Sequence, residues 1–432
     1  MKESRKNQSL VLQLSILLIF VFLCGVLAVA QTESVVHFFA GPPKDGALPE
    51  SGVVSDAAGN LYGTTEYGGS GPCKTSPHFV AGCGTVFQMT PPPSPGQPWG
   101  ESVLYSYQNN GDGANPFLGV TLDSAGNVYA LSNVGDSSVA IEVSKTNGVW
   151  TGNIIQAFPT QQSDSYDQGG PLAIDAAGNL YGEDTGYFSG LGRIYELSPP
   201  AQQGGQWTLT VLYTFQGLRV GDGSFPSGGL TMDRSGNLYG TTQSGGINCG
   251  NVNGGCGTIF ELVAPPPGGA WTEKQLYVIP SRKSGYQPAW GAVFGPGGNL
   301  YGATLNGGPH IGGTAFQLDL ITGVYTVLHD FGASGDGNRP NSPLAIDPVG
   351  NLYGTLTDGP DNNPAGAVYR LTEKAGVWTE TILHTFGGIG DGNTTSGELT
   401  VLPTGLYGTT VSGGGCNPKL HACGGTVYQI RP

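Results

Sequence analysis

Charge is what this sequence has least of. Only 11% of its 432 residues are Asp, Glu, Lys or Arg, against about 25% in an ordinary globular domain. Lys and Arg number 17 and Asp and Glu 31. There is no basic stripe for a nucleic acid to follow, and the net acidity repels phosphate backbones. Runs of Ala, Leu, Glu and Lys are also missing, which excludes coiled coils, helical bundles and most α/β enzymes. Glycine, at 75 positions, and proline, at 31, take their place. Disorder is not the reading, because 38% of residues are hydrophobic and 35 are Tyr or Phe (19 and 16). Many short strands joined by glycine-rich turns fit this composition.

Residues 1–30 read as a secretory signal. Lys2, Arg5 and Lys6 precede an apolar run from Leu10 to Leu27, and Ala28-Val29-Ala30 supplies a small-x-small cleavage pattern before Gln31. Cleavage leaves 14 Lys and Arg against 30 Asp and Glu, a net charge of −16. The mature chain, 31–432, is expected to be a secreted or periplasmic monomer with no membrane insertion and no nucleic-acid partner.

A repeat organises the rest. GNLYGTT at 59–65 returns as GNVYALS (126–132), GNLYGED (178–184), GNLYGTT (236–242), GNLYGAT (298–304), GNLYGTL (350–356) and TGLYGTT (404–410). Spacings of 52 to 67 residues are long enough for four strands and too irregular for a solenoid. In the fourth unit GLTMD, LYGTT, GTIFELV and EKQLYVI follow in order, with Asp-x-x-Gly-Asn as turn chemistry between the first two. Seven units of four antiparallel strands predict an all-β, seven-bladed β-propeller. The seventh unit stops after three strands, and VVHFF (35–39) matches the missing fourth. The N-terminal strand is therefore expected to complete the last blade and close the ring, which removes an exposed edge.

These units resemble the Gloeo-Verruco (GloVer) tandem repeat of secreted bacterial proteins. The matching elements are VLYTF, GDG-x-x-P, Leu-x-x-Asp-x-x-GNLYGTT, a Gly-Gly pair and GTVF or GTIFEL, across residues 35–430. The resemblance implies the propeller fold and export, and carries no catalytic residues. Unit two departs most, with VYALS and VAIEVS in place of the usual segments, so its outer loop is expected to differ.

Two kinds of insert, from strand two to three and from blade to blade, fall on one face, where scaffolds usually bind ligands. Six cysteines lie in the first kind and pair by position as Cys73 with Cys83, Cys249 with Cys256, and Cys416 with Cys423. An oxidising compartment makes these disulfides, and the wide C-x9-C and C-x6-C spacings argue against zinc. In the second kind, Asp-Gly pairs recur at Asp45, Asp112, Asp222, Asp336 and Asp391. They read first as tight turns and second as calcium ligands or a polar rim for sugar hydroxyls. Two units lack the pair, with Asp167-Gln168 and Ser284-Gly285 instead.

Trp99, Trp150, Trp207, Trp271 and Trp378 each stand six positions before Tyr105, Gln156, Tyr213, Tyr277 or His384. An even spacing predicts one strand face and a packing role for both members. His37 and His329 share the repeat position of His384, which makes all three structural. Trp290 is different: it precedes the first strand of blade five, near the channel mouth, where it could stack on a sugar. Glu398 stands in an otherwise apolar register, and Arg339 shares a loop with Asp336. Trp290, Glu398 and Arg339 are the candidate ligand-binding residues. No GxSxG, HExxH, EF-hand or Walker motif occurs. The expected function is non-catalytic binding of an extracellular glycan or surface protein, with calcium as the one cofactor in question. The alternatives are a polysaccharide lyase or hydrolase, or a structural component of the cell envelope or matrix.

Overall fold

Seven four-stranded antiparallel sheets radiate around one axis as a seven-bladed β-propeller. The computed structural model describes residues 32–74, 81–134, 137–158, 169–186, 190–202, 204–250, 254–266, 268–387, 390–414, 416–417 and 422–431. Residues 1–30, which the sequence reads as a secretory signal, and Asp167-Gln168 lie outside them. Glu33–Pro432 forms one compact unit. Among the described residues helix is limited to four 3-10 turns, and no helix is long and apolar enough to cross a membrane.

Blade four shows the plan. Thr231–Met232, Leu238–Gly245, Thr258–Val263 and Thr272–Val278 lie side by side in chain order, and Gly223–Pro226 extends the innermost position. Blade seven breaks chain order as expected: Gly392–Leu402, Gly405–Gly413 and Thr426–Arg431 are followed by Thr32–Phe38 as the outermost strand. The first and last described strands thus share one sheet, and the ring is closed.

Local chemistry explains the repeat motif. In Asp-x-x-Gly-Asn, the carboxylate of Asp56 accepts from the N–H groups of Ala58 and Asn60, from Asn60 Nδ2 and from Tyr62 Oη. Asp123, Asp175, Asp233 and Asp347 repeat the arrangement. The glycine of LYGTT is required by its cross-strand partner. Gly354 faces Tyr369, and a Cβ at Gly354 would lie 2.5 Å from that phenol oxygen. The same glycine–aromatic pair recurs in five more blades. Blade two has Ala130 facing Ile141. Both members changed together, so the space the larger residue needs on one strand is vacated on the other.

The expected same-face pairing of each Trp with the residue six positions later does not hold. Every outer strand with a described register carries a bulge between the two: opposite Val86 and Phe87 stand Tyr105 and Val103, so Leu104 is the extra residue. Ile155, Leu212, Leu276, Leu328 and Leu383 are skipped alike. A bulge shifts the alternation by one. Trp99 therefore sits edge-on to Tyr407 of the preceding blade, ring centres 5.5 Å apart, while Tyr105 joins the core shared with the following blade. Trp207 on Tyr129, Trp271 on Tyr181 and Trp378 on Tyr301 repeat the contact. The tryptophans are structural, as expected, but each fastens its blade to the one before.

The glycine–aromatic pair makes a double-mutant test. Gly354→Ala should destabilise by about 1–3 kcal/mol through overpacking. Combined with Tyr369→Ile it should cost at least about 1 kcal/mol less than the two single changes summed. Additive losses in denaturant unfolding would show that the pair is not coupled.

Candidate functional site

Antiparallel order decides which loops share a face. A first strand that leaves one face is followed by a second that returns to it, so links from strand two to three and from blade to blade open together. On that face a cavity of about 110 Å3 lies on the axis. Each blade lines it with the segment leading into its first strand: Glu50–Val54, Phe117–Val120, Gly169–Pro171, Gly228, Trp290, Pro343 and Ser396–Glu398. The channel mouth is thus built from all seven units.

Backbone approach makes it narrow. A Cβ on Gly52 would lie 1.9 Å from the Glu398 carbonyl oxygen, and one on Gly228 would lie 2.0 Å from the Gly291 nitrogen. Trp290 and Glu398 line this same cavity. The Trp290 indole N–H donates to the Pro340 carbonyl at 2.8 Å, which fixes the ring against blade six. Glu398 is half-buried in the cavity lining, and burial raises its pKa. Glu50 and Glu66 meet beside the mouth. Burial first, then the Glu50 carboxylate, raise the pKa of Glu66. The described lining residues carry carboxyl groups and no cation. Arg339 is elsewhere: it does not line the mouth, its backbone is left-handed at φ 60°, and its guanidinium lies 3.9 Å from Asp358.

Glu183 escaped the sequence reading, although a signal was present. It replaces the threonine that stands at Thr64, Thr241, Thr355 and Thr409 in other units. Thr241 and Thr409 use their hydroxyls to hold carbonyl groups of the next blade's lead-in, Pro288 and Ser51. Glu183 reaches the same way: its Oε2 accepts from the Gly229 N–H at 2.9 Å. It is 1% exposed, Oε1 has no partner, and burial pushes its pKa up to about 8.

The five Asp-Gly carboxylates are all engaged. One oxygen accepts from the following backbone N–H at Asp45, Asp222, Asp336 and Asp391, at 2.6–2.9 Å. The other faces the tip of an outer strand. Tyr105 and Tyr213 donate to Asp112 and Asp222 at 2.7 and 2.9 Å. His37, His329 and His384 bond Asp45, Asp336 and Asp391 at 3.3, 3.0 and 3.0 Å. These bonds close the turns the sequence predicted. They also give the three histidines a partner that strand periodicity did not reveal.

Disulfides join Cys73 to Cys83 and Cys249 to Cys256, both in loops between strands two and three. Backbone register sets Cys416 opposite Cys423; their side chains lie outside the described residues.

Residues 249–432 match the Gloeobacter/Verrucomicrobia repeat family. No curated protein matches the sequence. Among solved structures, a protein from Lactobacillus plantarum is similar at 13% identity and a TM-score of 0.51, over 86% of this chain and all of that one. The extracellular domain of a candidate hybrid two-component system from B. thetaiotaomicron is similar at 11% identity and a TM-score of 0.50. There the likeness covers 93% of this chain and 41% of the other. These likenesses concern the fold alone.

Glu183 predicts a pH effect. Its folded pKa of about 8 stands above the ordinary 4.5. Between those values the folded chain keeps a proton that the unfolded chain releases, so stability from this group falls as pH rises. Glu183→Thr, the residue of four other units, should stabilise the protein at pH 8 relative to pH 5 by on the order of 3 kcal/mol. Denaturation midpoints at the two pH values measure it, and an equal effect at both would show that Glu183 does not carry the proton.

Proposed function

From the match of residues 249–432 to the Gloeobacter/Verrucomicrobia repeat family, we propose that this chain is an exported, non-catalytic propeller. Its ligand is an extracellular glycan, taken at the axial mouth of the loop face. The observation that carries this reading is the mouth itself, which sets one fixed indole ring and one half-buried carboxyl group in a single cavity. An aromatic face with polar neighbours suits a sugar ring, whose C–H face is apolar and whose edge is hydroxylated. The acid lining disfavours uronates and phosphosugars, so the sugar is neutral or amino-substituted. Export is supported by the signal-like N-terminus and by two disulfides, which persist in oxidising compartments.

A glycan array probed with the purified protein, in calcium and then in EDTA, tests this. Saturable binding is expected in both, because the Asp-Gly carboxylates already accept hydrogen bonds and lie away from the mouth. Trp290→Ala should weaken it about tenfold or more, a loss of at least about 1.4 kcal/mol. Glu398→Gln should change which sugars bind, and Arg339→Ala should leave binding unchanged. No saturable binding would overturn the reading. New reducing ends or unsaturated products in the bound glycan would replace it with a polysaccharide lyase or hydrolase.

A further inference from the structure

At three successive joins the aspartate of the blade-to-blade link meets two more side chains. A histidine comes from the outer strand of the preceding blade and a glutamate from the outer strand of the following one. The sets are His329, Asp336 and Glu380 between blades five and six; His384, Asp391 and Glu33 between six and seven; and His37, Asp45 and Glu101 between seven and one. In the first two, one donor atom from each side chain lies within 4.8 Å of the other two.

A second observation concerns the glutamates. Oε1 of Glu33, of Glu101 and of Glu380 is buried and has no hydrogen-bond partner. A buried carboxyl oxygen without a donor has given up hydration and gained nothing in return. Its recurrence at one repeat position, at all three histidine joins, calls for a common cause. Three of the other joins serve as internal comparisons. Between blades one and two, Tyr105 replaces the histidine and Gly152 the glutamate. Between three and four, Tyr213 donates to Asp222. Between four and five, Ser284 replaces the aspartate, and Tyr277 stacks on Tyr325 at 4.5 Å. The fold accepts a neutral phenol at this position, so the histidines answer some other demand.

We propose that the His–Asp–Glu clusters between blades five and six and between blades six and seven bind divalent ions of the zinc class, one at each join. Each set offers one imidazole nitrogen and two carboxylates and leaves positions for water, a donor set that suits zinc and its neighbours. Two ligands 3.0 Å apart, as His329 and Asp336 are, subtend about 90° at an ion with bonds of about 2.1 Å. Ligands of one such ion stand at most about 4.2 Å apart, so closing the third side chain takes a shift of roughly half an ångström. Calcium takes six to eight oxygens, so the imidazole turns the choice away from it. On binding, Nε2 coordinates the ion in place of the proton it shares with the carboxylate; the ring ligates as the neutral tautomer with its one proton on Nδ1, and any second proton passes to solvent. The glutamate oxygen gains the partner it lacks.

The purified protein, stripped with chelator and dialysed, is titrated with Zn2+ and, as a spectroscopic probe, with Co2+. The expected results are about two equivalents bound, visible Co2+ absorption bands, and a rise in Tm with Zn2+ that Ca2+ does not reproduce. His384→Tyr, which installs the residue of the neighbouring joins, should remove one equivalent. The variant changed to Tyr at both His329 and His384 should remove both. No Tm shift and no Co2+ band at millimolar metal would overturn the proposal. Undiminished stoichiometry in folded His→Tyr variants would do the same. If a variant fails to fold, the Zn2+ and Ca2+ response of the unaltered protein still decides.

Discussion

Closure of the ring by Thr32–Phe38 is the constraint on which the rest of the molecule depends. The strand lies against Thr426–Arg431, and the Phe39 N–H continues the pairing to the Gly425 carbonyl at 3.1 Å. That last bond has counterparts at Tyr107, Phe158, Phe215, Ile279, Phe331 and Phe386 in the other units. The junction of the chain's two ends is therefore chemically the same as a junction within a blade. Only a closed ring brings Ser396–Glu398 of blade seven against Gly52 of blade one, so the axial mouth exists because the ends meet.

Within each blade the low charge of the chain has a plain use. The second and third strands are buried on both faces, and what they bury besides apolar groups is mostly threonine and glycine. Thr65 with Thr85, Thr242 with Thr258, Thr304 with Thr314 and Thr410 with Thr426 bond hydroxyl to hydroxyl at 2.8–2.9 Å. Such pairs satisfy each other without a charge to desolvate. Glycine leaves room for the aromatic ring opposite. A chain rich in lysine and glutamate could not fill these positions.

Architecture was largely legible in the sequence, because repetition exposes strand order, turn chemistry and the displaced strand together. The mouth was legible in part. Trp290 and Glu398 stood out as departures from the repeat and do share a cavity, whereas Arg339 only shared a loop with Asp336. Two things were hidden. The bulge at Leu104 and its counterparts leaves no composition signature, so counting by twos assigned Trp99 and Tyr105 to one side when they point to opposite neighbours. The glutamates at the joins were hidden by distance: Glu33 and Asp391 meet only through ring closure, 358 positions apart. Glu183 was visible as a departure in GNLYGED, but only an alignment of the units on one another would have drawn attention to it.

The bulge also fixes how the blades relate by symmetry. Before it, an outer strand presents its tryptophan backward; after it, the same strand presents tyrosine or histidine forward. Each unit therefore has a distinct head and tail, and the joins are heterologous in the sense used for cyclic oligomers. Head-to-tail contacts do not limit their own number; only the rotation per step does, here about 51° for seven steps. A six- or eight-unit relative could keep every contact described and differ only in a few degrees of tilt at each join. Copy number is then a property of the angle between blades, not of the chemistry inside them.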